Sequence, residues 1–243
     1  LTFTPEDSGE RDKPIVYASY PGETAVITGG QEITGWQLAD ENLENVSDAA
    51  KGNLYVADVE AGWRFHDLYV DGERQQVSQQ METIQFRQWP QFSGALGEPD
   101  TKFLELNPEK GIKVRFNEGE LDGLEGNPDI EINCMTVMFW NALPILTDIN
   151  EEENTAYLYS YNPCNFGGQK NCFNSREGGW YSILNDIKYL DQPGEWCVDS
   201  RAGKVYYWPK DENFTSKRTV APVPYELIRF QGDEEDQNWE KQV

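Results

Sequence analysis

The stretch that most constrains this chain is YLDQPGEWCVDSRAGKVYYWP, Tyr189 to Pro209. Gln192-Pro193-Gly194-Glu195 reads as a turn, because proline presets φ and glycine accepts a positive φ beside it. Trp196-Cys197-Val198 and Lys204-Val205-Tyr206-Tyr207-Trp208 are apolar, aromatic runs joined by the polar loop Asp199–Gly203. Such a pattern predicts a hairpin with glycine near the end of its loop. Pro209 stops the second strand, since it has no N–H for a ladder. Large aromatics usually serve burial, so the hairpin is first of all a packing element.

Most of the chain follows the same logic. Asn53–Val59 alternates as a strand does. Asp71-Gly72, inside Asp67–Gln75, is the clearest signal for a type I′ turn. Thr101–Leu106, Ile112–Phe116 and Thr155–Tyr161 also read as strands. Ile130–Trp140 is the longest apolar run and predicts one or two strands buried on both faces. Ala142–Ile149 contains Pro144 and predicts an edge strand. Ile15–Tyr20, Ala25–Thr28 and Tyr225–Phe230 read as short strands broken by turns. Gly179–Leu190 alone has a helical spacing, with apolar residues at 180, 183, 184 and 187. Asp40–Gly52 and Asn117–Asp129 are acidic, polar loops.

Composition excludes several classes. The 243 residues carry a net charge of −23, from 43 acidic and 20 basic side chains. A surface of that sign repels nucleic acid and anionic membrane, so neither is an expected partner. No run of 18 apolar residues exists to predict a membrane span. With His66 as the only histidine, no two-histidine metal site or serine triad can be assembled. No phosphate-binding glycine loop is present. Calcium is the one ion to weigh. The clusters Asp148, Glu151–Glu153 and Asp233–Asp236 lack the alternating spacing of a calcium loop, and a solvated turn accounts for them better. No cofactor is expected.

Cys134, Cys164, Cys172 and Cys197 form no CxxC pair. Their even number points to one or two disulfides in an oxidising compartment. Cys164 and Cys172 bracket an Asn- and Gly-rich loop that a bridge would restrain, and Cys134 could then pair with Cys197, since each sits in an expected strand; free buried thiols are the other reading. Asn45-Val46-Ser47 and Asn213-Phe214-Thr215 are glycosylation acceptor triplets, placing Asn45 and Asn213 as candidate sites in a eukaryotic source. The 8 Trp and 12 Tyr suit a β-rich core and also sugar stacking. Trp63, Trp89 and Trp180 are the candidate carbohydrate-binding rings.

The pattern PGEW-x-x-D-x-x-x-G-x-x-YYWP resembles a segment common in secreted right-handed parallel β-helix proteins. That group includes carbohydrate-active enzymes such as β-xylosidases and α-galactosidases of the β-helix type. A second resemblance lies at LTFTPEDSG (1–9), PIVYASYPGE (14–23) and VITGG (26–30), which look like the group's early coils. The LYVDGER run (68–74) is similar to its LYVNGRR-like hairpin. The arginine-rich segment that often follows there is replaced by uncharged Gln75–Gln80.

The resemblance implies an all-β fold, the first coils of a right-handed parallel β-helix carrying an inserted β-sandwich or barrel. Residues 1–36 would form the coils, 37–219 the insert, and 220–243 the return strand and an acidic tail. A hydrolase needs two carboxylates about 5 to 9.5 Å apart, and in this group they lie on later coils. No catalytic residue is therefore nominated. Glu195 and Asp199 sit in turn motifs that explain them. The chain opens on Leu1 within a strand-like segment, and the expectation is a processed chain or a piece of a longer one. The expected function is the scaffold and accessory portion of a secreted, glycoside-hydrolase-like protein, whose active site this chain leaves incomplete. Its partners would be carbohydrate or extracellular matrix and the remaining β-helix segments. The alternative is a non-catalytic carbohydrate-binding or structural, assembly-forming extracellular protein.

Overall fold

The structure is a computed structural model that describes residues 1–80, 106–107, 111–116, 118–137, 140–159, 181–223 and 226–232. Among the described residues there is no α-helix, only strands, turns and short 3-10 segments. The chain divides into two compact units, one of Leu1–Gln31 with Ala221–Val243, the other of Glu32–Val220.

In the first unit, β1 (Thr2–Phe3) pairs in parallel with β18 (Arg229–Phe230), Phe3 opposite Phe230. The two rings stack at 5.0 Å, and Tyr17 meets Phe3 edge-on at 4.8 Å. The Leu1 nitrogen donates to the Leu227 carbonyl, and the Arg229 and Gln231 amides donate to the carbonyls of Leu1 and Phe3. A parallel pair needs a crossover, and here nearly the whole chain serves as one. The expected strands at Ile15–Tyr20 and Ala25–Thr28 are not formed. Their β-branched and aromatic residues favour extension, but no ladder partner lies beside them among the described residues, and propensity alone does not make a strand. Ile15, Val16, Tyr17, Tyr20, Val26 and Ile27 are accordingly exposed.

The second unit contains two whole sheets and most of a third, none of which closes on itself among the described residues. The first has seven strands: β8 (Leu106–Asn107), β9 (Gly111–Arg115), β10 (Glu131–Val137), β11 (Trp140–Ala142), β12 (Ile145–Asn150), β13 (Thr155–Tyr159) and β14 (Tyr181–Leu184). Their order is β11-β10-β12-β13-β9-β8, with β14 on the free edge of β10. Two sequence readings change here. Pro144 precedes β12 instead of lying within it, and its carbonyl accepts from the Ile132 amide (2.9 Å). β12 is consequently an interior strand, between β10 and β13. The helix expected over Gly179–Leu190 is instead β14, whose four residues are all buried, followed by Asn185 at φ 65° and a 3-10 turn at Ile187–Tyr189. Pairing with β10, Glu131 opposite Leu184 through Cys134 opposite Tyr181, outweighs the weak helical period. The core of this sheet includes Phe116, Leu121, Ile130, Ile132, Leu146 and Ile183.

The second sheet orders β3 (Gln37–Leu38), β4 (Tyr55–Asp58), β16 (Lys204–Tyr207), β15 (Glu195–Asp199) and β7 (Gln76–Val77). β15 and β16 are the expected hairpin, Trp196 opposite Tyr207. Its loop needs a residue at positive φ, and Gly203 supplies it at 63°. A Cβ there would lie 2.7 Å from the Val59 carbonyl oxygen, so the position also lacks room for a side chain. The third sheet orders β2 (Gly30–Ile33), β17 (Thr219–Pro222), β5 (Tyr69–Val70) and β6 (Glu73–Arg74). Asp71 and Gly72 connect β5 to β6 with φ of 49° and 81°, the signature of a type I′ turn.

Candidate functional site

The hairpin β15–β16, the end of β14 and the start of β10 are tied together by buried polar groups. Asn185 is the centre of the tie. Its side-chain oxygen accepts from the Val198 amide (2.9 Å), and its side-chain nitrogen donates to the carbonyls of Val198 (3.0 Å) and Asp129 (2.9 Å). Val198 is thus bonded at both its peptide groups by one amide, as a neighbouring strand would do. The β7 ladder ends just before it, where the Ser78 amide donates to the Trp196 carbonyl. Asp129 in turn accepts from the Ser200 amide (2.5 Å) and hydroxyl (2.8 Å). Arg64 lies 3.6 Å from both Asp129 and Glu131, and His66 Nδ1 lies 3.2 Å from Glu131. The hydrogen bond to Glu131 holds the His66 imidazole above its usual range, with burial opposing it.

Beside this tie lies a cleft of about 220 Å³. Glu44 and Asn45 line it from one loop, and Gly123, Glu125, Gly126 and Asn127 from another. Asp186 and the hairpin residues Cys197, Asp199, Arg201 and Tyr206 complete the walls. Asp186 is committed to structure: it accepts from the Lys188 amide (2.9 Å) and from Asn127 Nδ2 (2.8 Å), which caps the 3-10 turn. Burial still raises its carboxyl above the usual carboxylate range. Asp199 accepts from the Ala202 amide (2.9 Å) within the hairpin loop. By contrast, the Glu44, Glu125 and Arg201 side chains make no hydrogen bond or ion pair among the described residues. The cleft therefore offers free acceptors and one free guanidinium fork over a floor that includes Ile187 and Cys197.

Glu195 is fully buried. It accepts from the Asp191 amide (2.9 Å), with longer contacts from the Gln192 amide and side chain (both 3.4 Å). Burial pushes its carboxyl up to about 7 despite those donors. It closes the turn before β15 and does not line the cleft.

Of the aromatic candidates, Trp63 is half-buried, its ring 5.0 Å from Phe65, which stacks on buried Trp196 at 5.2 Å. It belongs to an internal aromatic row and is not part of the cleft. Trp89 and Trp180 lie outside the described residues, as do Cys164 and Cys172. Cys197 is a free thiol, which corrects the expected bridge to Cys134. It packs with Ala39, Ala50, Leu54 and Leu190 from its place on β15, whereas Cys134 sits on β10 of the other sheet. Burial, and then the carboxylates of Asp186 and Asp199, push the thiol well up and keep it protonated. Asn45 and Asn213 are both exposed, Asn45 at the rim of the cleft. Glu151 and Glu153 are engaged, Glu151 by the Gly123 amide and Glu153 by Lys113. Among the described residues no group of three or more His, Cys, Asp or Glu is arranged to hold a metal.

Sequence reasoning singled out none of Arg64, Asn127, Asp129, Asn185, Glu125 and Arg201. Only Asn127-Pro128-Asp129 carried a local signal, a turn in which the Asp129 amide donates to Asn127 Oδ1 (2.9 Å).

Residues 169–210 match a family model described as the GH141 insertion domain. A solved structure titled "Glycoside hydrolase" is similar with a TM-score of 0.62 and 20% sequence identity, over 96% of this chain and 37% of that one. This chain thus spans little more than a third of that chain's length, and the likeness establishes a shared fold. No curated protein matches.

Proposed function

We propose that this chain is the scaffold and accessory portion of a carbohydrate-active, glycoside-hydrolase-like protein, with the catalytic acids on residues outside it. The carrying observation is the match of 169–210 to an insertion domain of a glycoside hydrolase family. That segment contains the whole hairpin β15–β16, which supplies one wall of the cleft. The likeness to a much longer glycoside hydrolase over 96% of this chain agrees with it. The most perturbed carboxylates, Asp186 and Glu195, are occupied by backbone amides and neighbouring side-chain amides, a capping use that leaves no free acid–base pair between them. The parallel pairing of β1 with β18 supports a solenoid in the first unit, to which further coils would add. Secretion, glycosylation at Asn45 and Asn213 and a Cys164–Cys172 bridge belong to the same reading.

The test is hydrolysis. This chain alone is expected to release no reducing sugar from plant and bacterial polysaccharides. A longer protein that continues it with further coils is expected to do so. Turnover by this chain alone would overturn the assignment of the acids. A second reading, a binding module without hydrolysis, is favoured by the free Glu44, Glu125 and Arg201 side chains around the cleft.

A further inference from the structure

We infer that the cleft beside Asn185 is an accessory binding site for one neutral sugar unit of a polysaccharide; this rests on the carbohydrate-active reading above. Four separate segments build it, the loops at 43–45 and 123–127, the capped turn at 186–187 and the hairpin at 197–206. Three of them are fixed to one another: Asn127 bonds Asp186, and Asn185 bonds both Asp129 and Val198. The site is therefore preorganised, which lowers the ordering entropy a ligand must overcome.

Two glycines at positive φ belong to its wall. Gly123 has φ 75° and Gly126 has φ 91°. A Cβ on Gly126 would sit 3.6 Å from Arg201 Nη2, and one on Gly123 would sit 3.8 Å from Asn45 Oδ1. A methyl at either place would touch, at ordinary contact distance, one of the two polar groups that a ligand would meet.

Charge and chemistry choose the ligand class. Glu44, Glu125, Asp186 and Asp199 face the cleft with a single cation, Arg201. An anionic uronate or sulfated sugar is repelled by that balance. Sugar hydroxyls both donate and accept. They match carboxylates that accept, a guanidinium that donates, and the Asn45 amide, which does both. Leu43 and Ile187 supply apolar contact for the C–H face of a ring. With a volume of about 220 Å³, below the ~300–1,000 Å³ of ordinary small-molecule pockets, the cleft admits a unit and not a long segment.

The experiment is titration calorimetry of this chain with xylotetraose, cellotetraose and mannotetraose, with tetragalacturonate as the anionic control and chitosan tetramer as the cationic one. At least one neutral tetramer is expected to bind. Arg201→Ala and Glu125→Gln, both on exposed side chains, should each weaken it tenfold or more with an unchanged melting temperature. Gly126→Ala, strained at φ 91°, should shift the loop that carries Glu125 and weaken binding together with a lowered melting temperature. Neutral binding that all three variants leave intact would remove the cleft while leaving the carbohydrate reading in place. Binding of tetragalacturonate or chitosan tetramer in preference would overturn the ligand class. No neutral binding at 10 mM, about 100-fold above the weak affinities of interest (Kd of 0.1 mM corresponds to about −5.5 kcal/mol), would overturn the site even if the longer protein proves hydrolytic.

Discussion

Replacing Asn185 tests whether one buried amide holds the hairpin to the rest of the second unit. The residue is 5% exposed and its three side-chain bonds reach Val198 N–H, Val198 C=O and Asp129 C=O. Val198 is 1% exposed, so water does not replace the missing partner without disturbing the packing. Asn185→Gly leaves a buried N–H without an acceptor, at about 1–3 kcal/mol, and deprives two carbonyls of a donor at less each. A loss of about 3 kcal/mol is the expected sum. Asn185→Ala adds the penalty of a Cβ at φ 65°, roughly 1 kcal/mol more. For a chain of this size a loss of about 3 kcal/mol lowers the melting temperature by roughly 6–12 °C. Thermal unfolding followed by near-ultraviolet circular dichroism reads it, with Trp196 as the built-in reporter. A Gly variant within about 2 °C of the parent would refute the role of the amide. An Ala variant no worse than Gly would refute the backbone part of the argument.

Three further outcomes follow from named groups. Glu195 has its carboxyl raised to about 7, so the folded state binds a proton that the unfolded state has released above pH 4.5. Stability should therefore fall as pH rises from about 4.5 to 7, and Glu195→Gln should flatten that slope in melting temperature; an unchanged slope assigns it elsewhere. Native alkylation with iodoacetamide at pH 8, read by peptide mass mapping, should spare Cys197 until urea unfolds the chain, and rapid labelling would contradict a buried, protonated thiol. Gly203→Ala should destabilise by clearly more than Gly52→Ala. Both positions have positive φ, costing about 1 kcal/mol each, but only at Gly203 would the new Cβ press on backbone, the Val59 carbonyl. Equal melting shifts would show that the hairpin loop yields.

What could be read from residues alone was local. Asp71-Gly72 dictates its own turn because both φ values are positive, and that turn is present. Pro193-Gly194 and Gly203 frame β15 and β16 for the same reason. Reading failed where a partner distant in sequence decides the outcome. Tyr181–Leu184 has a helical spacing of apolar residues, yet β10, some fifty residues earlier, offers an open edge, and four ladder positions outweigh the period. Ile15–Tyr20 has every mark of a strand and lacks, among the described residues, the neighbour that would make it one.

The cleft was hidden by the same cause. Glu44, Glu125 and Arg201 are separated by long stretches of sequence, each in a loop whose composition reads as plain solvated polarity. What brings the loops of Glu125 and Arg201 together is the tie of Asn127, Asp129, Asn185 and Ser200, and an asparagine in an apolar segment gives no sign of which peptide it will bond. Polar side chains that finish a ladder in place of a strand obey geometry without periodicity. They are therefore found by asking where each buried peptide group is satisfied along a strand that outruns its neighbour. For β15 that question leads from Trp196, served by Ser78, to Val198, served by Asn185, and so to the wall of the site.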